Sequence, residues 1–127
     1  MFIADDFFDY FSALSFLLYE DPSVYAISAY NDNGKEHLVF DNSTFSLIYP
    51  ITIISIIFLA LALRSDYFTA GAWMITSAEW SRIHSSWPDI YWLEWMRESN
   101  LFEGRVCIRP EVSRVVTFGE SGLNPHP

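Results

Sequence analysis

A mixed α/β fold is predicted by two features near the start of the chain. Apolar residues recur at helical spacing from about Asp6 to Tyr19, and acidic residues occupy the first turn, which indicates an amphipathic helix. Directly after it, Val24 to Tyr30 is short, apolar and rich in β-forming residues, which indicates a buried strand. A helix followed at once by a buried strand is typical of α/β folds.

The second half of the chain also contains both predicted helices and predicted strands. Ser77 is the predicted N-cap of a helix, which Trp87-Pro ends. The remaining predicted elements are a short helix from Ile90 to Arg97 and strands at Val106 to Ile108 and Val115 to Phe118.

Length and charge narrow the class of protein. The 127 residues suit one small domain or a piece of a larger one. A net charge of -9 makes nucleic acid an improbable partner, although a divalent cation could still bridge the protein to a nucleotide. With a single cysteine, no disulfide can form within the chain. Cys107 is predicted to be a buried free thiol, with a bridge to a cysteine outside this chain as the alternative.

One long apolar stretch stands out. Phe45 to Leu63 carries no charge and reaches the length of a candidate membrane-spanning helix, so membrane association stays open. The N-terminus predicts neither a signal peptide nor an anchor, because Asp5 and Asp6 follow Met1 closely and no basic start or long apolar core is present.

Several strings of residues, in order along most of the chain, resemble the N-acetylglucosaminyltransferase I family. The two most specific are Asn31-Asp-Asn-Gly-Lys-Glu36 and Ile108-Arg-Pro-Glu-Val-Ser-Arg114. The O-mannose β-1,2-N-acetylglucosaminyltransferase shares the pattern, and Phe118-Gly-x-x-Gly-Leu-Asn124 is closer to it. Shorter matching strings are Asp6-Phe-Phe-Asp-Tyr-Phe11, Arg64-Ser-Asp-Tyr-Phe68, Tyr91-Trp92 and Trp95-Met-Arg97.

The resemblance implies the C-terminal part of a GT-A glycosyltransferase domain. It would span residues 1–124, be interrupted by an atypical apolar helical insert at 45–63, and end in a tail at 125–127. The implied reaction moves N-acetylglucosamine from UDP-GlcNAc to the 2-hydroxyl of a mannose on a glycoprotein glycan, with inversion. Manganese would bridge the donor diphosphate to a Glu-Asp-Asp motif, and the protein would face the lumen from the Golgi membrane.

No metal ligand is assigned in this chain. The Glu-Asp-Asp motif of the family lies just upstream of the Asp-Phe-Phe helix, where this sequence begins. Asp5 and Asp6 form an acidic pair, but Asp6 aligns with the start of that helix. Capping of the helix is therefore favoured over metal binding for this pair.

The segment that carries the general base in the family also differs. The family has Trp-Asp-Asp-Trp, and this chain has Trp92-Leu-Glu-Trp95. The base falls on Leu93, which cannot accept a proton. Glu94 is a weak substitute, because adjacent helical residues point about 100° apart. Trp92 matches the aromatic residue beside the donor sugar, with a core aromatic as the alternative.

Two further family segments contact the donor or shape its site. A Pro-Gly-Leu-Gly-Trp loop appears as Thr69 to Trp73, and alanine at two glycine positions is expected to restrict its backbone angles. A donor-contacting Val-Ser pair becomes Leu123 and Asn124, which are predicted to bind the donor. Nearby, Arg105, Arg109 and Arg114 either contact phosphate or glycan, or pair with carboxylates.

These departures leave several hypotheses. The apolar stretch at 45–63 is a translated intron or gene-model fault, an insertion that packs as a helix, or a membrane span. The chain alone is expected to have little or no transferase activity. The alternatives are a non-catalytic family member that binds an active transferase, and a small membrane protein.

Overall fold

The computed structural model describes residues 1–32 and 62–116. Its first elements are β1 (Phe2–Ile3), α1 (Phe7–Leu14), α2 (Leu17–Glu20) and β2 (Val24–Ser28). After the gap come β3 (Ala62–Ser65), β4 (Trp73–Met74), α3 (Ser77–Ile83) and a 3₁₀ turn at His84–Ser86. The last elements are α4 (Trp92–Met96), α5 (Ser99–Phe102), β5 (Val106–Pro110) and β6 (Val115–Val116).

A four-stranded sheet in the order β3-β5-β2-β4 organises these elements. Its two central strands, β2 and β5, are parallel, and Ala26 lies opposite Cys107 while Ile27 lies opposite Ile108. The outer strands β3 and β4 run antiparallel to their neighbours. The short strands β1 and β6 form a separate antiparallel pair. The described residues therefore form a mixed helix and sheet structure, as predicted.

The core has two layers, one on each face of the sheet. Side chains of a strand are distributed over its two faces, so the residues of β2 and β5 are divided between two clusters. Ile27 and Ile108 pack with Tyr10 and Leu14 of α1. Ala26 and Cys107 instead pack in a second cluster whose other buried members are Tyr25, Phe68, Ile83, Leu93, Met96 and Phe102.

The first predicted helix is divided in two. Helix α1 ends at Leu14 and α2 begins at Leu17, because three-residue turns replace the regular ladder between them. The hydroxyl of Ser15 donates to the Ser12 carbonyl at 3.0 Å, a local bond that competes with helix propagation. The predicted strand at 24–30 is confirmed, although β2 already ends at Ser28.

The start of α3 differs from the prediction by one residue. Thr76, rather than Ser77, is the N-cap, and its Oγ1 accepts a hydrogen bond from the Glu79 backbone N–H at 3.1 Å. Thr76 and Glu79 have the three-residue spacing of a capping box, which places the threonine at the cap. The predicted helix at 90–97 is confirmed in a shorter form, since α4 covers only Trp92–Met96. The predicted strand at 115–118 is observed at Val115–Val116, and Phe118 lies outside the described residues.

The end of the apolar stretch is extended rather than helical. Ala62 and Leu63 belong to β3 and lie opposite Pro110 and Arg109 of β5. The prediction of a helical insert is therefore wrong for these two positions, because backbone pairing with β5 fixes them as strand. Residues 45–61 of the stretch lie outside the described residues, as does the tail at 125–127. No helix within residues 1–32 and 62–116 is long and apolar enough to cross a membrane.

A polar contact ties the start of β2 to β3. Asp21 accepts hydrogen bonds from the Ser23 hydroxyl at 2.6 Å and the Ser23 backbone N–H at 3.0 Å, and it forms an ion pair with Arg64. Arg64 also donates to the Ser23 hydroxyl at 3.0 Å. These bonds, first from Ser23 and then from Arg64, lower the pKa of Asp21 from its usual 3.8 to about 2.

This contact predicts a pH-dependent stability difference. A lowered pKa stabilises the fold above the unfolded-state pKa, and that stabilisation is lost as the pH falls through the folded-state value. The Tm gap between the natural protein and Asp21→Asn should be largest above pH 3.8 and should close towards pH 2. Thermal unfolding across this range measures it. Asp32→Asn, at an exposed carboxylate, is the control, and its Tm difference should not follow this profile.

Candidate functional site

Helix α4 carries Trp92, Leu93 and Glu94, which the sequence resemblance matches to the catalytic segment of the family. It begins after Tyr91, whose φ of 56° places it in the left-handed region. That conformation costs a bulky residue about 1–2 kcal/mol, so the surrounding packing must hold it. The turn directs Leu93 and Met96 into the core, while Glu94 faces outward.

Leu93 is a packing residue in this structure. Its side chain is only 8% exposed and lies in the cluster that contains Phe68 and Met96. The buried side chains that surround Leu93 in this cluster are apolar or aromatic. Leu93, which the sequence resemblance matches to the general base of the family, is therefore an apolar side chain inside an apolar cluster.

Glu94 has a different environment. It is exposed, and its carboxylate makes no hydrogen bond or ion pair with another described residue. Because Glu94 faces outward while Leu93 faces inward, the glutamate does not occupy the position of its neighbour. Its role as a substitute base stays a prediction.

Trp92 belongs to a cluster that contains every tryptophan of the chain. It stacks on Trp87 with ring centroids 5.6 Å apart and planes at 21°, and it lies 6.1 Å from Trp73. Trp87 also contacts Trp80 at 5.3 Å and Trp95 at 5.5 Å. We call these five residues the tryptophan cluster. The sequence pointed to Trp92 alone, because the cluster joins residues from β4, α3, α4 and the turn between the two helices.

The loop at 69–73 is held by close contacts with the end of β2. Thr69 Oγ1 donates to the Tyr30 carbonyl at 2.9 Å, and Ala29 N–H donates to the Ala72 carbonyl at 2.7 Å. A Cβ at Gly71 would lie 2.6 Å from the Cβ of Tyr30, so glycine is required by close approach. Neither Ala70 nor Ala72 has a positive φ angle, so both lie in backbone conformations that alanine adopts without strain.

Two of the three arginines in question are paired with carboxylates. Arg105 holds Glu79 through contacts of 3.1 Å to each carboxylate oxygen, and Arg114 Nε lies 3.2 Å from Asp6. Burial raises the pKa of Glu79, but hydrogen bonds from Arg105 and Arg82 outweigh it, so the pKa is lowered overall. Both pairs support the ion-pair alternative.

Arg109 is the exception. Its Nε is buried and has no hydrogen-bond partner, and no ion pair joins its guanidinium to another described residue.

One carboxylate of the acidic pair near the N-terminus is engaged in an ion pair. Asp6 is the N-cap residue of α1, but its side chain makes no capping hydrogen bond and pairs with Arg114 instead. The prediction that this pair caps the helix is thus right about the position of Asp6, but the expected capping hydrogen bond is not formed. In the part of the chain that the structure describes, no three His, Cys, Asp or Glu side chains are grouped to hold a metal ion. These residues do not fit the manganese of the family.

The other predicted site residues divide into two cases. Cys107 is a free thiol, 1% exposed, and burial raises its pKa from the usual 9.0 to about 12. The predicted burial of this side chain is confirmed. Leu123 and Asn124 lie outside the described residues, so their donor-binding role stays a prediction.

Comparison with known proteins identifies the family of this chain. The profile of the GNT-I family matches residues 1–125. The chain belongs to the GNT-I family. It is 38% identical over 120 residues to the alpha-1,3-mannosyl-glycoprotein 2-beta-N-acetylglucosaminyltransferase of Arabidopsis thaliana. That match covers 94% of this chain and 23% of the relative, so the chain spans less than a quarter of the relative's length.

The burial of Leu93 predicts the effect of restoring an acid there. Leu93→Asp should lower the free energy of unfolding by about 3–5 kcal/mol at neutral pH, because it removes apolar packing and buries an unpaired charge. The loss should be smaller at low pH, where the carboxyl is neutral. Denaturant unfolding measures it, and Glu94→Gln should change stability by less than about 0.5 kcal/mol. A Leu93→Asp variant as stable as the natural protein would show that this side chain reaches water.

The raised pKa of Cys107 predicts its reactivity. In the folded protein at about pH 8, iodoacetamide should leave Cys107 unmodified, since the thiolate is the reactive form and the sulfur is inaccessible. Unfolding in denaturant at the same pH should make the thiol react. Mass spectrometry of the alkylated peptide distinguishes the two states. Rapid labelling of the folded protein would contradict the buried position.

Proposed function

We propose that this protein acts in the transfer of N-acetylglucosamine from UDP-GlcNAc to the 2-hydroxyl of a mannose in N-glycan processing. The observation that carries the proposal is the GNT-I family match over residues 1–125. The Arabidopsis thaliana relative is named as a mannosyl-glycoprotein 2-beta-N-acetylglucosaminyltransferase. The parallel pair β2–β5 between helical layers is compatible with a GT-A domain, to which we assign these residues.

The described residues are better suited to binding than to proton transfer. An inverting transfer needs a carboxylate that takes the proton of the attacking hydroxyl. Leu93 supplies none, and Glu94 points away from the buried side of α4. The tryptophan cluster offers flat aromatic surface in which Trp92 and Trp87 are only partly buried. We assign Trp92 to contact with the donor sugar.

Manganese and a lumenal Golgi location are also part of the proposal, by membership of the family alone. Manganese would neutralise charge on the departing diphosphate. Asp6 cannot be assigned to it, because its carboxylate is paired with Arg114. We therefore derive no catalytic step through the metal from these residues.

Donor binding can be tested through the intrinsic fluorescence of the protein. Because the five tryptophans contact one another, a ligand beside Trp92 should change the emission of the whole cluster. UDP-GlcNAc with manganese should quench this emission saturably. Trp92→Phe should weaken the response, whereas Tyr19→Phe, at an exposed residue of α2, should leave it unchanged.

Turnover is the second measurement. With UDP-GlcNAc, manganese and a mannose-terminated glycan, the chain should transfer sugar at least about a hundredfold more slowly than an active family member, because it lacks the base. Fluorescence that does not respond to UDP-GlcNAc would contradict donor binding. Turnover equal to that of an active relative would contradict the assignment of Leu93 as a non-catalytic replacement.

A further inference from the structure

Arg109 differs from the other arginines in its lack of a partner. Arg64, Arg82, Arg105 and Arg114 each form an ion pair with an Asp or Glu. A fifth arginine, Arg97, donates to the Phe68 carbonyl at 3.1 Å and lies over the Tyr67 ring. In contrast, the guanidinium of Arg109 makes no hydrogen bond or ion pair within residues 1–32 and 62–116, and its Nε is buried.

This arrangement is unfavourable without a compensating group. A buried donor that loses its water without gaining an acceptor costs about 1–3 kcal/mol, and more when the group is charged. Native proteins satisfy most such groups, so an unsatisfied one needs an explanation. The residue as a whole is only partly buried, which leaves the side chain within reach of solvent.

The position of Arg109 in the sheet favours an external ligand. It lies near the carboxyl end of β5, one of the two parallel strands, opposite Leu63 of β3. In open α/β sheets, ligands bind beyond the carboxyl ends of parallel strands.

The two carbonyl groups that follow Arg109 in the chain accept hydrogen bonds from Asn31. Asn31 Nδ2 donates to the carbonyls of Pro110 at 2.9 Å and Glu111 at 3.1 Å. Asn31 and Ser113 are joined by two further bonds of 2.9 Å. These bonds join the segment that follows β2 to the segment that follows β5, directly beyond Arg109.

We propose that Arg109 binds a phosphate group, and that its natural ligand is the diphosphate of the nucleotide-sugar donor. The identity of the natural ligand rests on the proposed function, whereas the anion site rests on the unpaired guanidinium. A guanidinium presents a planar set of donors that matches two phosphate oxygens at once. In that position it would stabilise negative charge on the departing nucleoside diphosphate.

Inorganic pyrophosphate and Arg109→Met provide the test. Methionine keeps much of the aliphatic packing but has no donor and no charge. Without added anion, the Arg109→Met variant should have a Tm equal to that of the natural protein or a few degrees higher, because a buried unpaired donor is removed. Pyrophosphate should raise the Tm of the natural protein saturably, and the variant should lose that rise.

Arg64→Met is the matched control, since Arg64 lies on the adjacent strand β3 and is paired with Asp21. It should retain the pyrophosphate response. NMR of the natural protein gives a measurement that needs no variant, because the Arg109 Nε–H resonance should shift on titration with pyrophosphate. Orthophosphate and UDP, compared in the same titration, distinguish a general phosphate site from one that prefers a diphosphate.

Three outcomes would overturn the proposal. A lower Tm for Arg109→Met without anion would mean that a carboxylate of the protein already pairs with the arginine. An equal pyrophosphate response in the variant would place the anion elsewhere. An Arg109 Nε–H resonance that does not move would exclude direct contact. If the protein binds pyrophosphate at Arg109 but does not bind UDP-GlcNAc, the anion site stands and the proposed donor is wrong.

Discussion

The parallel pairing of β2 with β5 is the constraint on which the described structure depends. Residues 24–28 and 106–110 are far apart in sequence, yet they form the centre of the sheet. Their alternating side chains are divided between two apolar layers, one against α1 and one against α4. Each layer gains its apolar burial only when these strands pair, so the two helical layers and the loops between them depend on one contact.

The same packing against the central strands accounts for the apolar character of position 93. Cys107 and Leu93 pack in the same layer, so the leucine side chain at position 93 contributes apolar contacts to the core. The character of this position is therefore set by the packing of α4 against the sheet.

Much of the local structure follows from the sequence. The spacing of Phe7, Tyr10 and Leu14 on α1, and the apolar β-forming residues of β2, each determine an element without reference to distant residues. The interruption near Ser15 and the cap at Thr76 depend on single side-chain bonds, which periodicity does not reveal.

The candidate site was less predictable, because its contacts join residues that are distant in sequence. The sequence does not distinguish Arg105, Arg109 and Arg114 from one another. The fold does, because it brings Glu79 to Arg105 and Asp6 to Arg114. Family resemblance identified Trp92 and Leu93, but the burial that gives each its chemical character is set by tertiary packing.

The close approach of Gly71 to Tyr30 also limits how this loop can evolve. A Cβ at position 71 would overlap the Cβ of residue 30, an atom that every amino acid except glycine possesses. A smaller side chain at position 30 would therefore give no relief. Only a glycine there would make room, so any lineage that replaces Gly71 has either moved the loop or exchanged the glycine across the contact. The pair of positions thus records, in homologous sequences, whether the loop still lies against the sheet.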